Sequence, residues 1–312
     1  MKPLSDEKIL ISTSSFAVMD NEPLDMLKNA GCRVVDNPYK RRLTKPEIEE
    51  LLATGITGII AGLEPLDKEV LSKSNLKVIS RCGSGLSNVD LDAAKDLGIR
   101  VCYTPDGPVS SVAELTIGAM LSLLRMIPLM DRELHDGRWS KKTGNLLEGK
   151  TVLIVGFGRI ARRLKKLLEP FNVRILVADP FLKEKIEGIS VIPLEEALPQ
   201  ADIISIHASG EGTIIEEKEL GLIKPGGLLL NAARGTLVDE KALIKALREK
   251  RIAGAWLDVF EEEPYKGPLT KFDQVMLTPH VGSYTAECRK KMETEAVENL
   301  IEAFKKIKEG KR

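Results

Sequence analysis

The sequence is poor in cysteine: Cys32, Cys82, Cys102 and Cys288 are the only four in 312 residues, and no two form a C-x-x-C pair. That spacing supplies neither a disulfide framework nor a zinc site, so no bound metal is expected. Aromatic residues amount to only 4%, which argues against base-stacking platforms for single-stranded nucleic acid. Neither sign of charge is in excess, since 46 Lys and Arg balance 46 Asp and Glu. The usual electrostatic reason to bind nucleic acid or an anionic membrane is therefore missing. No apolar run approaches the roughly 18 residues of a transmembrane helix. Acids stand among the first residues, where a signal peptide needs an apolar stretch. These features predict a cytoplasmic protein with no membrane and no nucleic-acid partner. At 34.3 kDa the chain is long enough for two hydrophobic cores.

What is present is alternation. Short apolar runs at 8–12, 32–35, 58–61, 76–80 and 99–102 read as buried strands, and amphipathic stretches separate them. A second series starts near Lys150, with strands at 151–155, 174–178, 203–206, 228–231, 253–258 and 275–278. Thr44-Lys45-Pro46-Glu47 is a capping box with Pro in the first turn. Strand–helix alternation predicts parallel sheets covered on both faces, here α/β with two doubly wound units. Residues 110–130 are apolar almost all round, which predicts one helix buried on several sides. Residues 285–308 predict a long charged helix that closes back on the first unit.

The sharpest motif is the strand Thr151–Val155 running into Gly156-Phe157-Gly158-Arg159-Ile160-Ala161. Gly156 permits a tight turn, Gly158 lets backbone approach a pyrophosphate, and Ala161 keeps the following helix close. The helix N-terminus offers unpaired N–H groups to the anion. An acid, Asp179, closes the next strand roughly 20 residues on, the spacing for a hydrogen bond to the adenosine ribose. The expected ligand is a dinucleotide, NAD.

Ligands of such sheets bind beyond the carboxyl ends of the strands. Three polar groups stand there in the second series: Arg234 in Asn231-Ala232-Ala233-Arg234-Gly235, the acids Asp258 and Glu261–Glu263, and His280 in Thr278-Pro279-His280-Val281-Gly282. An Arg offers a fixed fork for a carboxylate, and a His carries a proton near neutral pH with an acid behind it. Singly, each has an ordinary reading as a surface or loop residue. Jointly they point to acid–base chemistry beside a nicotinamide.

With Arg81-Cys82-Gly83-Ser84-Gly85, Ser111-Val112-Ala113-Glu114-Leu115-Thr116 and Gly137-Arg138-Trp139 added, the chain resembles the D-isomer-specific 2-hydroxyacid dehydrogenase family, in its D-3-phosphoglycerate dehydrogenase-like branch. The resemblance implies a flavodoxin-like substrate domain, residues 1–103 plus 284–312, with a Rossmann NAD-binding domain, residues 104–283, inserted in it. It implies catalysis by Arg234, Glu263 and His280, with Arg234 polarising the 2-oxo acid and Glu263 partnering the general acid/base His280. Arg81 and the N–H groups of Ser84 and Gly85 would bind substrate. Gly156, Gly158, Arg159, Ile160, Asp179, His207, Ala232, Asp258 and Thr116 would bind NAD, with Asp258 on the nicotinamide carboxamide. Two departures stand out: Ser87 replaces a usual Asp, and His207-Ala208-Ser209 lacks the usual Pro.

The implied reaction is reversible hydride transfer between NAD(H) and C2 of a small 2-hydroxy or 2-oxo acid. A phosphorylated acid needs cations at the far end of the site. Arg81 is one such cation, and Lys141 and Lys142 could reach in from a neighbouring subunit, so 3-phosphoglycerate is the favoured substrate. Glu64 stands where that branch often has a second cation, which keeps glyoxylate, hydroxypyruvate and lactate as alternatives. An NAD(H)-sensing, corepressor-like binding protein is the alternative from another class. The apolar excess in 110–130, together with the resemblance, predicts a homodimer.

Overall fold

A computed structural model describes residues 4–183, 186–210 and 212–310. In chain order the elements are β1 (Lys8–Ile11), α1 (Glu22–Asn29), β2 (Arg33–Asp36), α2 (Lys45–Leu52), β3 (Gly58–Ala61), α3 (Lys68–Ser72), β4 (Val78–Arg81), α4 (Leu91–Asp96) and β5 (Arg100–Tyr103). Then come α5 (Val109–Leu124), α6 (Ile127–His135), β6 (Thr151–Val155), α7 (Arg159–Leu168), β7 (Arg174–Ala178), β8 (Ser190–Val191), α8 (Leu194–Ala197) and β9 (Ile203–Ile206). The chain finishes with α9 (Glu217–Leu222), β10 (Leu228–Asn231), α10 (Glu240–Arg248), β11 (Gly254–Leu257), β12 (Val275–Leu277) and α11 (Ala286–Lys308). It divides into two compact units, Met1–Pro108 with Ser283–Arg312, and Val109–Gly282.

The first unit is a five-stranded parallel sheet in the order β2-β1-β3-β4-β5, the flavodoxin-like order. All four residues of β3 and of β4 are buried, as expected of central strands covered on both faces. One cover is α11. Its Phe304 is fully buried, and the ring lies so close to Gly58 that a Cβ there would stand 2.8 Å from a ring carbon. Ser80 Oγ donates to the Ala296 carbonyl at 2.7 Å, tying β4 to the same helix. The Thr285 hydroxyl caps α11 by accepting from the Cys288 N–H.

The second unit is a seven-stranded parallel sheet, β12-β11-β10-β9-β6-β7-β8. Counted from β6 this is the doubly wound order 3-2-1-4-5-6 with one strand added. Its order reverses between β6 and β9, so the ligand crevice of such a sheet falls at the carboxyl ends of those two strands.

The stretch 110–130 is not one helix. Leu124 ends α5, Met126 takes a left-handed φ of +51°, and α6 starts afresh at Ile127. Pro128 lacks an N–H and crowds the preceding turn, so an unbroken helix would lose a hydrogen bond there. The released Leu124 carbonyl accepts instead from the Asn145 N–H at 2.9 Å. Among the described residues no single helix is long and apolar enough to cross a membrane; only the pair α5 and α6, bent by 66°, passes by length and composition. The pair's first member, α5, packs against α7, β10 and β11.

Phe304→Ala should cost about 3–5 kcal/mol, the usual range for emptying a fully buried aromatic site. The check is the midpoint of far-UV circular dichroism in guanidinium. An unmoved midpoint would mean that α11 does not hold the first sheet.

Candidate active site

The nucleotide crevice is built on backbone proximity. Gly156 has φ +84°, and a Cβ there would lie 2.5 Å from Ala208 Cα and 2.6 Å from its nitrogen. Only glycine lets the turn after β6 pass so near the turn after β9. Gly158 caps α7 and faces open space, leaving the first N–H groups of a ten-residue helix available to an anion. Ala161 is fully buried, as close packing of α7 on the sheet requires. Asp179 Oδ2 accepts the Phe157 N–H at 2.7 Å and Oδ1 the Phe181 N–H at 2.8 Å, so the acid braces the glycine turn it faces. A cleft of about 500 Å³ opens here, lined by Gly158, Arg162, Asp179, Phe181, His207 and Ser209 among others. Arg162 stacks its guanidinium over the Phe157 ring, 5.1 Å from the centroid.

His207 borders the same cleft. One ring nitrogen, Nε2, lies 2.8 Å from Ser205 Oγ, while Nδ1 is buried with no hydrogen-bond partner. An orphaned ring nitrogen, an open helix terminus and a cradle that a Cβ would fill all fit a dinucleotide. Arg159 and Ile160 form the first turn of α7 beneath that cradle.

The second cluster gathers at the carboxyl ends of β10, β11 and β12. Asn231 shapes the first loop: its Nδ2 donates to the Arg234 carbonyl at 2.8 Å, and its Oδ1 accepts the Ala233 N–H at 3.0 Å. Ala232 and Arg234 are half-buried, and the guanidinium donates to the Ala233 carbonyl at 2.6 Å. Burial pushes the Arg234 guanidinium below its ordinary range, and the Glu263 charge pulls it back up. The approach of these loops depends on Gly235, where a Cβ would collide with the Phe260 carbonyl carbon. The third loop brings His280, whose Nδ1 lies 2.9 Å from Glu263 Oε2 and 3.1 Å from Oε1. Arg234, Glu263 and His280 thus meet in one unit: a fixed cation, and an imidazole held at one nitrogen by a carboxylate.

Residues 117–282 match the family described as D-isomer specific 2-hydroxyacid dehydrogenase, NAD binding domain. The chain belongs to this family. Its members are NAD-dependent oxidoreductases that act on CH–OH groups. The chain is similar to the glyoxylate reductase of Thermofilum pendens, with 41% identity over 78% of this chain and 76% of that one. It is also similar to the D-3-phosphoglycerate dehydrogenase of Methanocaldococcus jannaschii, 37% identical over 83% of this chain but only 51% of that one. The chain thus spans about half the length of that phosphoglycerate dehydrogenase. Among solved structures, a protein of Thermus thermophilus superposes with a TM-score of 0.87 at 32% identity, covering 98% of each chain.

Three of the expected site residues are buried in this structure. Thr116 is fully buried inside α5, and its hydroxyl donates to the Val112 carbonyl at 2.8 Å. Asp258 is 1% exposed, and its carboxylate accepts from the Thr278 hydroxyl and from the Val281 and Gly282 N–H groups. Those donors come from the histidine turn, so the carboxylate holds that turn. Arg81, expected to point at substrate, is 7% exposed; its guanidinium donates to the Cys82 carbonyl and lies against Gly83. Ser84 is exposed and Gly85 half-buried, in a turn pinned where the Gly83 N–H donates to Thr104 Oγ1 at 2.7 Å.

Thr278 and Trp256 are harder to single out from residue type. Thr278 and Trp256 carry no charge, and the contacts that matter are to residues about 20 positions away. Glu64 is 1% exposed at the carboxyl end of β3, where its oxygens accept from the Gly62 N–H and the Ser12 hydroxyl.

Burial pulls the His207 imidazole down to about 4 from 6.5. In the folded chain the ring stays neutral while the unfolded chain takes up a proton below about 6.5. Its contribution to stability is whole above that pH and shrinks as pH falls towards 4, by up to about 3 kcal/mol. His207→Asn should therefore flatten the acid decline of Tm between pH 6.5 and 4. An identical decline in the variant would contradict a half-buried His207 that stays neutral in the fold.

Proposed function

We propose that this chain interconverts a small, unphosphorylated 2-oxo acid, such as glyoxylate or hydroxypyruvate, and its D-2-hydroxy acid. The second unit would hold NAD and the first would serve as the substrate domain. The observation that carries the reaction is the Glu263–His280 contact beside Arg234. NAD(H), when held in the crevice of the second unit, would supply or take the hydride at C2. Arg234 binds the acid and polarises its carbonyl. His280 gives a proton to the C2 oxygen in reduction and takes it back in oxidation, while Glu263 orients the ring and stabilises the imidazolium. From the first unit we assign the N–H groups of Ser84 and Gly85 to the substrate carboxylate. Asp179 favours NAD over NADP, because a carboxylate at the ribose repels a 2′-phosphate.

The substrate follows from charge. Of the cations expected to pair a phosphate, Arg81 is turned onto its own loop, and Glu64 lies close enough for the two charges to interact. Lys142 is spent on Glu133 at 3.1 Å. A phosphate dianion needs paired cations, and this arrangement supplies little. The alternative, 3-phosphoglycerate, draws its support from the phosphoglycerate dehydrogenases among the relatives.

The test is a panel of 2-oxo acids with NADH. Hydroxypyruvate should exceed 3-phosphohydroxypyruvate in kcat/KM by at least about tenfold, or about 1.4 kcal/mol. His280→Ala should cut kcat on the preferred acid by about 10²–10⁴, the range for a lost general acid. A phosphate advantage would restore the phosphoglycerate reading. NADH binding without turnover of any acid would favour a sensor.

A homodimer belongs to the same proposal. The helix α6 buries none of its own residues, and Ile127, Leu134, Trp139 and Leu146 expose 49%, 54%, 80% and 67% of their surface. We read this exposed apolar surface as a self-association face. Light scattering at micromolar concentration should give twice the chain mass; a monomer there would exclude this face as a self-association surface.

A further inference from the structure

The histidine turn is held in an uncommon conformation. His280 has φ +54°, a left-handed setting that a non-glycine residue adopts only when its surroundings compel it. Its own N–H donates to the Thr278 carbonyl at 2.9 Å. The next two N–H groups, of Val281 and Gly282, donate to Asp258 Oδ1 at 2.9 Å and Oδ2 at 2.8 Å. From the other side, Ser111 Oγ donates to the Gly282 carbonyl at 2.6 Å. Glycine at 282 eases this approach, since a Cβ would crowd Asp258 Oδ2 at 3.0 Å and a Val112 methyl at 3.1 Å.

What aims the Asp258 carboxylate is Thr278. Trp256 Nε1 lies 3.0 Å from Thr278 Oγ1, which in turn lies 2.6 Å from Asp258 Oδ1. An indole nitrogen can only donate, so Thr278 accepts from it and must turn its single hydroxyl proton towards Asp258. The polarity of the chain is thereby fixed: indole N–H to hydroxyl, hydroxyl to carboxylate, carboxylate to the two N–H groups beyond His280. Trp256 is fully buried, so the network starts from a side chain that the core has locked.

We propose that Thr278 is a positioning residue for His280, setting the angle at which the imidazole meets Glu263 by fixing the carboxylate that holds the turn. This rests on the acid–base role assigned above to His280, and the measurements separate the two. Thr278→Val keeps the shape and removes the hydroxyl; Thr278→Ser keeps the hydroxyl and removes the methyl. Thr278→Val should lower kcat by about 10- to 100-fold, the scale of a small misplacement away from the reacting atoms. KM for NADH should stay within about threefold, and Thr278→Ser should recover kcat to within about threefold of wild type. A second readout needs no turnover: the low-field resonance of the His280 Nδ1 proton shared with Glu263 should shift or broaden in Thr278→Val and return in Thr278→Ser. Should Thr278→Val leave that resonance in place, or Thr278→Ser do the same damage as Thr278→Val, the proposal is overturned. If His280→Ala retains wild-type kcat, the acid–base assignment fails, while the resonance still decides whether Thr278 positions the ring.

Discussion

Every strand in both sheets runs parallel to its neighbours, and that one constraint arranges the chemistry. A parallel strand can be followed by another only after the chain crosses back over the sheet face. All loops that leave carboxyl ends therefore emerge on one edge. In the second unit this edge collects Gly156 after β6, Asp179 after β7, His207 after β9, Arg234 after β10, Asp258 after β11 and His280 after β12. Residues far apart in the chain are gathered on this edge because each lies within three residues of a strand's carboxyl end.

Loops gathered on one edge bring a second problem, the N–H groups that no strand pairs. Buried or half-buried carboxylates repeatedly solve it here. Glu64 takes the Gly62 N–H, Asp179 those of Phe157 and Phe181, Asp258 those of Val281 and Gly282, and Glu263 that of Phe260. A carboxylate suits this work because it offers two oxygens and about four acceptor directions. Glycines do the complementary work where loops must touch, at Gly156 and Gly235. One consequence is that an acid after a strand is ambiguous in sequence. Asp179 and Glu263 brace loops and also face the cleft or the histidine, whereas Asp258 is closed off by its donors.

The sequence was legible where burial is continuous. The runs at 58–61, 151–155, 174–178, 203–206 and 228–231 coincide with β3, β6, β7, β9 and β10, since central parallel strands are apolar on both faces and stop where a turn begins. The edge strand β8 has two residues, both exposed, and no such signal. The break between α5 and α6 was visible only as Pro128 within an apolar stretch. Arg234 and His280 could be picked out by residue type and strand-end position, whereas Glu263 was singled out from the acids 261–263 only by the family resemblance. The inward turn of Arg81 and the clamp by Asp258 could not, because each is decided by which other loop lies alongside.

The two sheets also explain each other's ligands. Each has a switch point, between β1 and β3 in the first unit and between β6 and β9 in the second. At the second, glycines and a helix N-terminus leave room and donors for an anion. At the first, Ser12 follows β1 and Glu64 fills the space beyond β3, with Glu64 Oε1 2.5 Å from Ser12 Oγ and burial pushing its carboxyl pKa up. The Asn88 side chain closes the same loop by donating to the Glu64 carbonyl at 2.7 Å. Acceptor oxygens, one of them on an ionisable group, stand where a nucleotide would bring its own phosphate oxygens. Two parallel sheets of different strand order thus carry unlike switch points, and the side chain that fills the first is the acid lying within charge range of Arg81.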